Sequence, residues 1–282
     1  MKQNGMIRIA AILVVVAIGF GAVASKAEAP LKDMATTATT NSWKHDSVVD
    51  YISLQDGQTF AYLPQAVEND PLAIEGFIYL TDSVEDAWES LNGVKSAFDS
   101  SREARTRVGV RYVITLALVE HTPWRRFFSA TNDQGREEIV LELLREFGTK
   151  YDQAWRTEGS PAGARGVMQF MELTYNRLQE AYPEAGLPQR GFLQHYASFR
   201  AAFLLSDETT RWRFRNPTAY EQISDQDSEL LRVASYNCSG SFVHWRAFEK
   251  YNDDWKKVLP DETRNYLEMY VWVRNYLFPP TT

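Results

Sequence analysis

Residues 160–171 read Ser160-Pro161-Ala162-Gly163-Ala164-Arg165-Gly166-Val167-Met168-Gln169-Phe170-Met171. Gly163 and Gly166 frame a turn, since glycine permits unusual dihedrals and close approach of the backbone to other groups. A helix is expected to leave this turn near Val167. Val167, Phe170, Thr174, Leu178 and Ala181 then recur on one helical face and belong in a core. Gln169 falls off that stripe, which leaves its amide able to donate and accept. By itself, Gly-x-x-Gly ahead of a helix is a common turn.

Upstream, Val108 to Val119 is apolar nearly all round, with Arg111 and Thr115 as interruptions. That pattern predicts a helix buried on most sides. Glu120 follows at its C-terminal end, before His121-Thr122-Pro123. Burial and the negative end of the helix dipole both disfavour a carboxylate, so the proton is expected to be held to higher pH. A carboxylic acid in that state is equipped for general acid chemistry. The other reading, a solvated acid at a helix end, stays open on these residues alone. Downstream, Ala234-Ser235-Tyr236-Asn237-Cys238-Ser239-Gly240 ends one apolar helix and opens another. Tyr236 can hydrogen-bond a carboxyl group or a ligand, and Asn237 can cap backbone groups in the turn. Cys238 has no histidine at a pairing distance in sequence and reads as a small buried filler.

Around these pieces the periodicity is helical from about Gly93 onward. Segments near 95–105, 108–121, 136–147, 167–182, 192–206, 228–238, 240–251 and 261–277 carry apolar residues three and four apart. Pro123, Pro161, Pro183, Pro188, Pro217 and Pro260 fall between them. A mainly α domain is expected over 93–282. Residues 30–92 read as a polar linker followed by a small N-terminal extension, in which Phe60–Leu63 and Phe77–Leu80 could be short strands or helical turns. Residues 1–29 hold Lys2, Arg8 and the apolar run Ile9 to Val23, and read as a signal peptide or a membrane anchor, with membrane attachment through 7–24. No cysteine follows the run, which excludes lipoprotein attachment there. Export to the periplasm or cell envelope is expected, with an inner-membrane anchor as the alternative to cleavage.

The chain has 282 residues and a net charge of -7. Loss of residues 1–29 removes three cations and one acid, so the remainder is more acidic still. Nucleic acid is a poor partner for such a surface. One cysteine excludes an internal disulfide, and four dispersed histidines give no metal-ligand cluster. No cofactor is expected. The 8 Trp, 14 Tyr and 15 Phe fill cores first, although flat aromatic faces also suit sugar rings.

Glu120 after an apolar helix, SPAGARGVMQFM at 160–171, ASYNCSG at 234–240 and LPDETRNYL at 259–267 together resemble the ordered motifs of lytic transglycosylases with a lysozyme-like, SLT-type domain. The resemblance covers about residues 105–277. It implies a lysozyme-like helical domain of the α+β superfamily, acting on peptidoglycan glycan strands. It also implies Glu120 as sole catalytic acid, then base, with Ser160, Gln169, Met171 and Tyr236 lining the cleft and Tyr236 facing the glutamate. Asn237 lies in the same motif and is taken as a binding residue. Such enzymes cleave the bond between N-acetylmuramic acid and N-acetylglucosamine and close the muramic 6-hydroxyl onto the anomeric carbon. An internal nucleophile removes the need for the second carboxylate that ordinary glycosidases require. A hydrolytic lysozyme and a non-catalytic glycan-binding scaffold are the alternatives.

The chain departs from the pattern twice. The family has Glu-Ser where this chain has Glu120-His121, and Ser160 follows Glu120 by 40 positions instead of a short loop. Arg136 to Phe147 reads as an inserted helix. A rival alignment makes Glu146 the acid. Glu120 is preferred because Glu142, Arg145 and Glu146 belong to a charged, amphipathic helix whose acids are solvated and therefore ionised.

Overall fold

The structure, a computed structural model, describes residues 51–53, 59–61, 67–209, 211, 223–237 and 243–279. The expected signal or anchor at 1–29, the expected linker and the start of the extension at 30–50, and Cys238, Ser239 and Gly240 lie outside the described residues. The described part is mainly helical. A short antiparallel pair, β1 (Tyr51–Ser53) with β2 (Thr59–Ala61), sets Tyr51 opposite Ala61. Nine α-helices follow among the described residues: α1 (Pro71–Glu89), α2 (Val110–His121), α3 (Trp124–Ser129), α4 (Asp133–Lys150), α5 (Glu172–Ala181), α6 (His195–Glu208), α7 (Asp225–Asn237), α8 (Val243–Tyr251) and α9 (Asp261–Leu277). None of them is long and apolar enough to cross a membrane.

Helix α2 is the centre of the packing. Every residue from Tyr112 to Val119 is buried, and α1, α4, α6 and α9 all pack on it. Being covered on all these sides, it has no polar face to spend, which is why its sequence is apolar nearly all round. The polar exception, Thr115, donates to the Arg111 carbonyl at 2.7 Å.

Helix α1 decides between the two forms left open for Phe77–Leu80 in the extension before residue 93: it is helical. Ala73, Phe77, Leu80, Val84 and Ala87 lie at helical spacing and are buried in the common core. Asp70 caps it by accepting from the Ala73 N–H at 3.1 Å, with Pro71 at the first position, where its missing donor costs nothing. The partner of α1 is α4, and the two meet through glycines. A Cβ on Gly76 would sit 1.8 Å from the Leu144 carbonyl oxygen, and one on Gly148 would sit 2.1 Å from that of Leu72. The backbones are thus closer than any side chain allows. Asp70 also pairs with Arg145 of α4 at 2.6 Å, which fixes the register of the two helices.

Two other expectations change. The stretch 95–103 is not a helix, and only a single 3-10 turn follows at Ala104–Arg107: Ser96 Oγ accepts from the Phe98 and Asp99 N–H groups at 3.1 and 3.0 Å, and Asp99 accepts from Ser101. Such local side-chain bonds compete with helical ones. The helix expected from Val167 starts five residues later, at Glu172, because 165–170 is a closed turn in which Arg165 and Phe170 exchange both backbone bonds at 3.0 Å. Val167, Phe170 and Leu178 are buried even so. The expected helix at 261–277 has the bounds read from the sequence.

Candidate functional site

The end of α2, the turn 160–171, the end of α7 and one face of α9 enclose a groove of about 800 Å³. Glu120, Ser160, Gln169, Met171, Tyr236 and Asn237 all line it. Three distant stretches of chain therefore contribute to one surface. Glu146 does not: it stands on α4 and pairs with Lys150 at 2.5 Å, one turn on. Its neighbour on that helix, Glu142, is held by Arg126 at 2.6 Å.

Glu120 opens onto the groove while its carboxyl is packed by protein. Burial pushes the acid up to about 7, against the opposing pull of a hydrogen bond from Tyr266. Tyr266, on α9, donates that bond to Glu120 Oε1. Burial and the adjacent Glu120 raise the Tyr266 phenol well above its usual range, so it stays a donor. The side chain is thereby fixed in place, and an acid near 7 keeps a protonated fraction at neutral pH that a free carboxyl would lack.

The turn 160–171 is built by its own backbone. Ser160 N–H donates to the Ala164 carbonyl at 2.9 Å, and Ser160 Oγ accepts from the Ala164 N–H at 3.2 Å. Gly166 has φ +74, and a Cβ there would lie 2.0 Å from the Phe192 carbonyl oxygen, so glycine is required both for angle and for space. Gln169 also has a left-handed backbone, φ +45. Its Nε2 donates to the Gly166 carbonyl at 2.9 Å, which pins the amide and leaves its oxygen and second N–H as polar handles.

Tyr236 lines the groove close to Glu120 without bonding its carboxyl. Its hydroxyl donates to the Met168 carbonyl at 2.6 Å, and the phenol that holds Glu120 belongs to Tyr266. Glu120 is close enough to help raise Tyr236 well above the usual phenol range, after burial. Asn237 donates to Thr263 Oγ1 at 3.3 Å, tying α7 to α9. The turn after Asn237 lies outside the described residues.

The sequence reading missed Tyr266, Asn265, Met269 and Trp124, which also line the groove. A signal for three of them was present: Glu262, Asn265, Tyr266 and Met269 are spaced i, i+3, i+4, i+7 and form one stripe of α9. Trp124 gives no such signal. It is 54% exposed on the groove wall, four residues after Glu120. Asp261 and Glu262 stand exposed in the first turn of α9, and no lysine or arginine is among the described lining residues. The groove thus disfavours polyanions and accepts neutral or cationic ligands.

Among the described residues no three His, Cys, Asp or Glu side chains converge as metal ligands would. Comparison with known proteins gives no matching family model, no matching curated protein and no matching solved structure. The chemistry of the groove is accordingly argued from its residues.

Proposed function

We propose that the chain is a peptidoglycan lytic transglycosylase with a lysozyme-like domain, acting outside the cytoplasm on the bond between N-acetylmuramic acid and N-acetylglucosamine. The observation that carries this reading is one glutamate on the wall of a groove of about 800 Å³, its acid raised to about 7 by burial and its carboxyl held by Tyr266. Glu120 protonates the glycosidic oxygen as the bond to the anomeric carbon breaks. The resulting carboxylate then takes the proton of the muramic 6-hydroxyl as that oxygen bonds to the same carbon. Atoms and charge balance without water. Ser160, the Gln169 oxygen and Asn237 supply polar contacts for the sugar, and Trp124 offers a flat apolar face for its C–H surface.

Purified sacculi incubated with the protein test this directly. Chains ending in 1,6-anhydro-muramic acid are expected, and Glu120→Gln is expected to lower their formation by roughly 10²–10⁴-fold. Glu146→Gln is expected to cleave like the parent. Cleavage lost with Glu146→Gln and kept with Glu120→Gln would reverse the assignment. No cleavage by the parent, together with retained glycan binding, would leave a binding scaffold.

Asp261 and Glu262 support a second reading, hydrolysis, because either could activate water on the rim. Products with ordinary reducing ends that disappear in Glu262→Gln or Asp261→Asn would select it.

A further inference from the structure

His121 stands where the resembling family has serine, and the structure shows a reason tied to the other departure, the helix α4 between Glu120 and Ser160. The imidazole is buried, with its side chain 2% exposed. It stacks on Trp155 at 4.4 Å with an interplanar angle of 14°. Trp155 follows α4 and is itself braced edge-on by Phe147 of that helix, at 4.7 Å and 76°. The platform under His121 therefore exists because α4 is there. From this platform Nε2 reaches the Val167 carbonyl oxygen at 2.9 Å, and Nδ1 lies 3.5 Å from Glu158 Oε2. A carbonyl only accepts, so Nε2 carries the hydrogen.

Val167 and Met168 are consecutive, and their carbonyls are taken from two directions: His121 of α2 holds the first and Tyr236 of α7 holds the second. Glu158, the other contact of His121, sits on the incoming limb of the turn, and its backbone carbonyl accepts from the Gly166 N–H at 3.0 Å. One ring thus touches both limbs of the turn that carries Ser160, Gln169 and Met171.

We infer that His121 is a positioning residue that clips the turn 158–170 to the helix end bearing Glu120, setting the distance between the acid and the opposite groove wall. It touches no reacting atom. The inference about the clip stands on contacts alone, and its consequence for cleavage rests on the proposed function.

Hydrogen exchange on the full chain tests the clip without substrate. His121→Phe keeps a ring to stack on Trp155 and loses the donor. His121→Gln keeps a donor on a side chain of similar reach. In the Phe variant the amides of Arg165, Gly166 and Phe170 are expected to exchange about tenfold faster, with α1 and α4 unchanged. The Gln variant is expected to stay within about threefold of the parent. Unchanged exchange in the Phe variant would overturn the inference, and so would equal acceleration throughout α1 and α4. Where the Phe variant does not fold, a folded Gln variant with a loosened turn would also overturn it. On sacculi, the Phe variant is expected to lose kcat/KM and the Gln variant to restore it. A parent that cleaves no glycan, combined with the expected exchange pattern, would reject the proposed function and keep the clip.

Discussion

Glu85 and Glu120 both hold their protons to higher pH than a free carboxyl does, and they differ in what surrounds them. Glu85, on α1, is raised to about 8 by burial and then by Asp82, Asp86 and Glu89. Glu120 is raised to about 7 by burial, with Tyr266 pulling the other way. A perturbed acid alone would single out Glu85 first. Only Glu120 lines the groove, receives a hydrogen bond from a fixed phenol, and faces the turn 160–171. A raised proton affinity marks burial, whereas placement among convergent polar groups marks a site. The α1 and α4 side is correspondingly a packing region, and the groove side a chemical one.

Substitutions can break that division. Gly148→Ala is expected to have the largest effect on stability, about 3 kcal/mol measured by urea denaturation, since its Cβ would strike the Leu72 carbonyl and backbone must move. A change below about 0.5 kcal/mol would mean that α1 and α4 are loosely joined.

Next in size is the linkage of Glu120 to folding. Its acid is raised from 4.5 to about 7, so its contribution to stability is full below 4.5 and is lost as pH rises through 7. Glu120→Gln cannot ionise, so at pH 8 it is expected to be more stable than the parent by on the order of 2 kcal/mol, with no gain at pH 4. Glu85→Gln is expected to show the same sign, since that acid is also raised. Cleavage should separate the two: lost in the first and retained in the second. Equal loss in both would erase the distinction between the regions.

A smaller effect is expected from Tyr266→Phe. Removing the hydrogen bond that favours the charged form of Glu120 leaves burial unopposed. The falling alkaline limb of the cleavage profile should move to higher pH. Movement to lower pH would mean that Tyr266 supports the protonated acid instead. The smallest change is expected from breaking the exposed pair of Arg126 and Glu142, on the order of 0.5 kcal/mol or less.

Much of this arrangement was legible in the residues, in proportion to how strongly local chemistry agreed with the final packing. Helix α9 is bounded by Pro260 and opened by Asp261 and Glu262, and its range follows from these signals. Helix α2 is legible because a wholly covered helix must be apolar. Helix α1 was obscured by the continuous run Phe77-Ile78-Tyr79-Leu80, which mimics a strand, and by acids at Asp82, Glu85 and Asp86. In the groove, the residues of quoted motifs were found and the partner of Glu120 was not. Tyr236 stands in the last turn of α7 and Tyr266 in the second turn of α9, and nothing in either short motif says which phenol reaches which acceptor. That choice is made by how α7 and α9 dock on α2, a property of the assembled core. The late start of α5 was hidden likewise, because the bonds closing 165–170 cannot be read from apolar spacing.

The glycine contact between α1 and α4 also sets where the chain can be cut. A fragment beginning at residue 93 would carry all four quoted motifs and every groove residue named above. It would also present the bare notch of Gly148 and the apolar stripe of α4 to water, with nothing of α1 to fill them. The shortest piece worth expressing for activity or crystallisation therefore begins ahead of Val67, and a design trimmed to the motifs would be a recipe for aggregates.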